Sequence, residues 1–142
     1  MNNLNSLSVL KKYANADVYL FDNKIHREDG PAIIFVGGRL EWWQHNHRHR
    51  EDGPAIIYPN GEKEYWQNGK RHNDKGPAVY YYDKLEYWVN GKRHCDDGPA
   101  VECVNGDKEY WINGKLHRED GPAIDYIELK EYWCNGKLIS EE

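Results

Sequence analysis

Glu64-Tyr65-Trp66-Gln67-Asn68-Gly69-Lys70-Arg71-His72 is the stretch on which the reading of this chain turns. Its centre, Asn68-Gly69, is a pair that favours positive φ, as tight hairpin turns require. The residues ahead of it have the aromatic content of a strand and no helical period. One short strand therefore enters the turn and another leaves it toward His72. The same passage stands at Glu86 to His94 and at Glu109 to His117, and further Asn-Gly pairs occur at Asn60-Gly61, Asn105-Gly106 and Asn135-Gly136.

Outward from this stretch lies a longer sentence: His-Arg-Glu-Asp-Gly-Pro-Ala, an apolar run, Glu-Tyr-Trp, Asn-Gly-Lys, and the start again. Its histidines are His26, His49, His72, His94 and His117, and its tryptophans Trp43, Trp66, Trp88, Trp111 and Trp133, at steps of 22 or 23 residues. A period of this length denotes a stacked array in which each unit buries its apolar side against its neighbours. Repeated residues are accordingly scaffold residues first. In the Asp-Gly-Pro corner, Asp52 is expected to accept backbone hydrogen bonds, Gly53 to supply positive φ, and Pro54 to start a strand where no donor is needed, with His49 bracing the same loop through a backbone bond.

Comparison among the repeats assigns the faces, because strand side chains alternate sides. The position after Gly-Pro-Ala is always Ile or Val (Ile33, Ile56, Val79, Val101, Ile124), and two further on stand Phe35, Tyr58, Tyr81, Cys103 and Tyr126. These share the inner face. Between them lie Ile34, Ile57, Tyr80, Glu102 and Asp125, a spread of chemistry that points outward. In the second strand Glu64 and Trp66 share one face and Tyr65 the other, so aromatic ladders line both sides of a single layer.

The chain has 142 residues, with 30% charged and 39% hydrophobic, and its area for burial comes from six Trp and eleven Tyr. A net charge of -5 argues against a nucleic-acid backbone binder and against docking on anionic lipid. No segment approaches the roughly 18 apolar residues of a membrane span, and the first residues lack a signal-peptide run. Cys95, Cys103 and Cys134 read as free thiols, and the location expected is cytoplasmic.

The pattern Glu-Tyr-Trp-x-Asn-Gly-Lys-x-His, at Glu64 to His72, Glu86 to His94 and Glu109 to His117, resembles the MORN repeat. The resemblance covers roughly residues 19 to 137, with His-Arg-Glu-Asp-Gly-Pro-Ala in place of the family's short His-Gly link, as in variant repeats of uncharacterised phage and giant-virus proteins. It implies an all-β fold: an elongated, single-layer, twisted antiparallel sheet of about five stacked hairpin repeats. The expected divisions are an N-terminal cap or arm at 1–18, the array at 19–137 and an acidic tail at 138–142. It also implies a non-enzymatic protein-interaction module, as a phage or viral adaptor or inhibitor in the host cell cytoplasm.

The expected recognition face comprises Ile34, Ile57, Tyr80, Glu102 and Asp125 with the ladder Tyr65, Tyr87, Tyr110 and Tyr132. An acidic loop row, Glu28, Glu51, Asp74, Asp96 and Glu119, offers a second surface for basic protein segments, including nucleic-acid mimicry, although Arg27, Arg50 and Arg118 offset it. The alternative is a small ligand or lipid in a concave aromatic groove. His45, His47 and His49 would share a face of an extended strand and could hold a metal ion, against the reading that His45-Asn46 is an eroded Asn-Gly turn. No cofactor, catalytic residue or nucleic-acid partner is expected. An open sheet edge invites a homodimer or an added partner strand.

Overall fold

The computed structural model describes residues 7–142; the part of the expected cap at residues 1–6 lies outside the described residues. The protein is all-β and antiparallel, with no helix among the described residues and hence none long and apolar enough to cross a membrane. Two compact units share the repeats, Met1–Lys70 and Arg71–Glu142.

In the first unit the strands Val9–Lys12, Ala16–Phe21, Ile33–Phe35, Leu40–Glu41, Ile56–Ile57 and Lys63–Glu64 neighbour one another in chain order. In the second the order is Val79–Tyr80, Lys84–Glu86, Val101–Cys103, Lys108–Glu109, Ile124–Asp125, Lys130–Cys134 and Lys137–Glu141. Neither ladder closes into a barrel. Small satellite hairpins stand beside them: Trp43–Gln44 with His47–Arg48, Trp88–Val89 with Lys92–Arg93, and Trp111–Ile112 with Lys115–Leu116. The repeats at Trp43, Trp88 and Trp111 therefore make two sheet strands and then leave the sheet for a hairpin, whereas at Trp133 the hairpin Lys130–Cys134 with Lys137–Glu141 stays in it.

The turns differ as the φ values demand. Asn68-Gly69, Asn90-Gly91, Asn113-Gly114 and Asn135-Gly136 have positive φ at both residues, the hairpin geometry expected of them. His45-Asn46 does the same at 48° and 66°, so Asn46 stands in the glycine place. Asn60-Gly61 and Asn105-Gly106 are a correction. Only their glycines have positive φ, and Tyr58 N–H reaches the Glu62 carbonyl at 2.9 Å as Cys103 N–H reaches Asp107 at 2.9 Å, enclosing three-residue loops that join sheet strands. The matching loops at Tyr81–Lys84 and Tyr126–Leu129 enclose two residues, which accounts for the shorter of the two repeat lengths.

The expected tail at 138–142 is also corrected. Lys137–Glu141 is a strand, turned back onto Lys130–Cys134 by Asn135-Gly136, and Lys130 and Glu142 exchange backbone bonds of 2.9 and 2.8 Å. At the other end Val9–Lys12 is a strand paired with Ala16–Phe21, and all four of its residues are exposed.

Burial is periodic on both faces. On one side Ile33, Glu41, Ile56 and Glu64 form a cross-strand row in the first unit, and Val79, Glu86, Val101, Glu109, Ile124 and Glu131 form its counterpart in the second. On the other side Ala32, Ala55, Ala78, Ala100 and Ala123 are wholly buried at 0% exposure. At such fully buried positions a side chain larger than a methyl meets closely packed neighbours. Ala100→Leu is expected to overpack that site and to cost about 1–3 kcal/mol, measured by urea denaturation.

Candidate functional site

The glutamate of each Glu-Tyr-Trp, or of Glu41-Trp42-Trp43 in the first unit, is the most consequential side chain of its repeat. Glu41, Glu64 and Glu86 are 2–3% exposed, an unusual position for a carboxylate unless it is fully bonded. Each accepts the indole N–H of the tryptophan two residues on, at 2.8, 2.9 and 2.8 Å, and Glu109 and Glu131 do likewise at 2.7 and 2.6 Å. Residues two apart on a strand share a face, so the tryptophan reaches its glutamate within one strand and its continuation.

Further donors come from the same strand, from the following hairpin and from the neighbouring strand. Glu41 takes Arg39 at 3.1 Å and Arg48 at 3.4 Å; Glu86 takes Lys84 at 2.7 Å and Arg93 at 3.6 Å. The Tyr58 and Tyr126 hydroxyls donate to Glu64 and Glu109 at 3.0 and 2.6 Å, which places them on the inner face as the repeat comparison requires. Burial pushes the Glu86 carboxyl up, but bonds from Lys84 and Trp88 with the Arg93 charge outweigh it and hold the group below its ordinary value. Burial, then the bond to Glu109, pushes the Tyr126 hydroxyl up. The Cys103 thiol is raised by burial and then by Asp107 and Glu109, the reverse of an activated nucleophile. Arg48 also lies over Trp43 and Trp66, and Arg93 over Trp88 and Trp111, at 4.8–5.4 Å from the ring centres.

The histidines brace the next hairpin turn, not their own loop. Nδ1 of His49, His72, His94 and His117 accepts the N–H of Asn68, Asn90, Asn113 and Asn135 at 3.1–3.2 Å, and Nδ1 of His26 accepts that of His45 at 3.3 Å. The ring proton then belongs on Nε2, which faces Glu28, Glu51, Asp96 and Glu119 at 3.3–3.9 Å from their respective histidines. These members of the acidic row are strongly exposed, and each has a histidine edge behind it.

In the loops after His26, His49 and His117 the aspartate takes a backbone bond, as expected, and a side-chain donor besides, while the glycine's part differs from expectation. Asp52 accepts from the Arg50 side chain at 2.8 Å, and Asp29 and Asp120 accept from Arg27 and Arg118 at 2.6 and 2.9 Å. Those bonds hold the three carboxyls below their ordinary value. Gly53 does not have positive φ; its value is space, since a Cβ there would lie 3.0 Å from the Arg50 guanidinium carbon.

The expected metal trio is not assembled. His45 sits in the hairpin turn, which breaks the strand alternation that would have aligned it with His47 and His49. Its ring lies 4.4 Å from that of His26, His47 Nδ1 is 3.0 Å from the His45 carbonyl oxygen, and His49 serves Asn68. Among the described residues no group of three His, Cys, Asp or Glu could hold a metal ion.

The structure divides the expected recognition residues. Ile34, Ile57, Tyr80, Glu102 and Asp125 are half-buried, and their cross-strand partners are Leu40 for both isoleucines, Leu85 for Tyr80 and Glu102, and Lys108 for Glu102 and Asp125. Lys130 bonds to Asp125 as well, so that acid is paired. Tyr65, Tyr87, Tyr110 and Tyr132 are half-buried on the opposite side from the glutamates, and the Arg118 guanidinium covers the Tyr110 ring at 4.0 Å.

A further set of residues went unread in the sequence. Val36, Tyr82, Val104 and Ile127 occupy the first loop position between paired sheet strands, and they are 80, 84, 79 and 74% exposed. In the second unit adjacent tips touch: Val104 N–H bonds to the Asp83 carbonyl at 2.9 Å and Ile127 N–H to the Asp107 carboxylate at 3.1 Å. The signal was present as an unbroken series, Val36, Pro59, Tyr82, Val104, Ile127, just after the inner-face position.

Neither a family model nor a curated protein matches the chain.

Because Glu86 has a lowered value in the folded protein, its stabilisation is complete above the unfolded glutamate range near 4.5 and is lost as pH falls through the folded value. Thermal melts from pH 7 to pH 3 are expected to be flat at first and then to fall. Glu86→Gln is expected to destabilise at pH 7 by about 2 kcal/mol and to lose less than the wild type on acidification.

Proposed function

We propose that this chain is a non-enzymatic protein-interaction module of MORN-like design, built to present side chains from a repeated scaffold. The observation that carries the reading is the set of exposed apolar tips, with the loops of Val104 and Ile127 in the second unit tied to the preceding repeat through Asp83 and Asp107. Isolated apolar residues on a surface need no explanation, whereas an apolar series held at one repeated position does. The outward residues two positions earlier, such as Tyr80 and Ile34, extend the same surface toward the sheet.

The chemistry of the tips suits a protein partner. Aromatic and branched aliphatic side chains on short, tied loops lose little freedom on binding. The MORN resemblance of the repeats adds the precedent of sheet-borne protein binding, and the Trp-Lys hairpins in regular succession support it.

The test is photo-crosslinking from a benzoyl-phenylalanine placed at Tyr82 in cell lysate, compared with the same group at exposed Glu119 in the loop row. A stoichiometric partner crosslinked from Tyr82, and lost in Val104→Asp/Ile127→Asp with unchanged melting temperature, is the expected result. Equal labelling from both positions, or capture unaffected by the double variant, would refute the tips as the interface.

A further inference from the structure

Three of the loops contain the same small assembly. Arg27, Arg50 and Arg118 each lay a guanidinium over an aromatic ring, Tyr19, Trp42 and Tyr110, at 3.9, 4.1 and 4.0 Å from the ring centre. Each bonds through Nε to the aspartate two residues on, Asp29, Asp52 and Asp120. Each also donates from its terminal nitrogen to a proline carbonyl four residues on, Pro31, Pro54 and Pro122, at 3.2–3.3 Å. Ring face, carboxylate and carbonyl thus meet a guanidinium on three sides.

The fourth loop retains all of this except the arginine, where the chain has Cys95. The ring is Tyr87, the acid Asp97 and the carbonyl that of Pro99. The backbone frame is unchanged: Cys95 N–H bonds to the Trp111 carbonyl at 3.1 Å, Tyr87 N–H to Ala100 at 2.7 Å, and His94 Nδ1 accepts from Asn113 at 3.1 Å. Where a Cβ on Gly30, Gly53 or Gly121 would meet the guanidinium carbon at 3.0–3.2 Å, one on Gly98 would meet nothing within 4 Å. The third loop shows the contrasting solution. There Asn73 takes over the bond to the Pro77 carbonyl at 2.8 Å and Lys75 replaces the aspartate, so the arginine and its counter-ion are replaced together.

The vacancy opens into a groove of about 700 Å³ lined by Tyr87, Val89, Cys95, Asp97, Pro99 and Glu102 among others. Its charged lining comprises Asp74, Asp96, Asp97 and Glu102 against Lys75, with His94 turned toward Asp96 at 3.3 Å. The equivalent groove of the first unit contains Arg27 and Arg50. Burial first, and then the Glu102 charge, push the Tyr87 hydroxyl up.

We propose that this groove is a receptor site for the arginine side chain of a partner polypeptide, whose guanidinium takes the place that Arg27, Arg50 and Arg118 fill in the sister loops. That the arginine is carried by a protein rests on the reading of the chain as an interaction module; the guanidinium slot does not. The slot discriminates against lysine, since a point ammonium cannot stack on Tyr87 while bonding both Asp97 and Pro99.

The experiment titrates the full chain with N-acetyl-arginine methylamide, N-acetyl-lysine methylamide and free arginine, following the Gly98 amide and Tyr87 ring by NMR. The blocked arginine is expected to shift both saturably, and the lysine compound to bind about tenfold more weakly. Cys95→Arg, which fills the slot from within, is expected to abolish the shifts while raising the melting temperature, and Asp97→Asn to weaken binding about tenfold on a fold with unchanged melting. Equal shifts from arginine and lysine, or shifts that persist in Cys95→Arg, would overturn the slot and leave the interaction module standing. Much tighter binding of free arginine than of the blocked form would overturn the protein-borne source. Should Cys95→Arg fail to fold, Asp97→Lys gives the same decision.

Discussion

A buried carboxylate accepting an indole N–H from the second residue along the strand is the interaction to which the rest of this structure is fitted. A glutamate 2–3% exposed, as at Glu41, Glu64 and Glu86, has its desolvation offset only if its lone pairs are fully used. Trp Nε1 uses one, and strand neighbours or hairpin cations use the others, as Arg39 and Arg48 do for Glu41. Where a donor comes from the neighbouring strand, meeting that demand also ties the register, as the Tyr58 hydroxyl does for Glu64 and the Tyr126 hydroxyl for Glu109. At Trp43, Trp88 and Trp111 the bond spans the point where the chain leaves the sheet, the tryptophan lying in the satellite hairpin and its glutamate in the ladder, whereas Glu131 and Trp133 share the strand Lys130–Cys134.

Stacking of one repeat on the next is a matter of backbone groups at the hairpin turns. The first turn residue donates to the previous histidine, the second to a previous carbonyl, as Gly91 does to Arg71 and Gly114 to Arg93 at 2.9 Å. The residue after the histidine returns a bond to the next tryptophan carbonyl, as Arg50 does to Trp66 at 3.1 Å. These groups would otherwise be unpaired, so each hairpin depends on the one before it. The loops between sheet strands are where one residue is lost in the shorter repeats. They are also where the exposed apolar tips are presented.

The strands, the hairpin turns and the inner Ile or Val row were legible because period-two alternation and Asn-Gly pairs report local backbone preferences. The glutamate's role was half legible: its face followed from Glu64 and Trp66 being two apart, while its burial contradicts average side-chain behaviour and depends on donors such as Tyr58 and Arg48 brought from elsewhere. His49 was correctly taken as a backbone brace but assigned to its own loop, since a partner 19 residues away is set by stacking geometry that no local signal states. Gly53 was credited with a conformational role when its part is to leave room for Arg50. The His45, His47 and His49 trio failed because alternation holds only in a strand, and His45 lies in a turn.

The central claim is that repeated indole-to-carboxylate bonds hold the array, and the six tryptophans supply their own control. Trp43, Trp66, Trp88, Trp111 and Trp133 donate to glutamates, whereas Trp42 lies in the aromatic ladder beneath Arg50. Hydrogen exchange of the indole N–H groups, followed by NMR after transfer to deuterated buffer, reads this directly. The account predicts five slowly exchanging, downfield-shifted indole resonances and one fast-exchanging resonance assigned to Trp42. Six indoles exchanging alike and rapidly would contradict it.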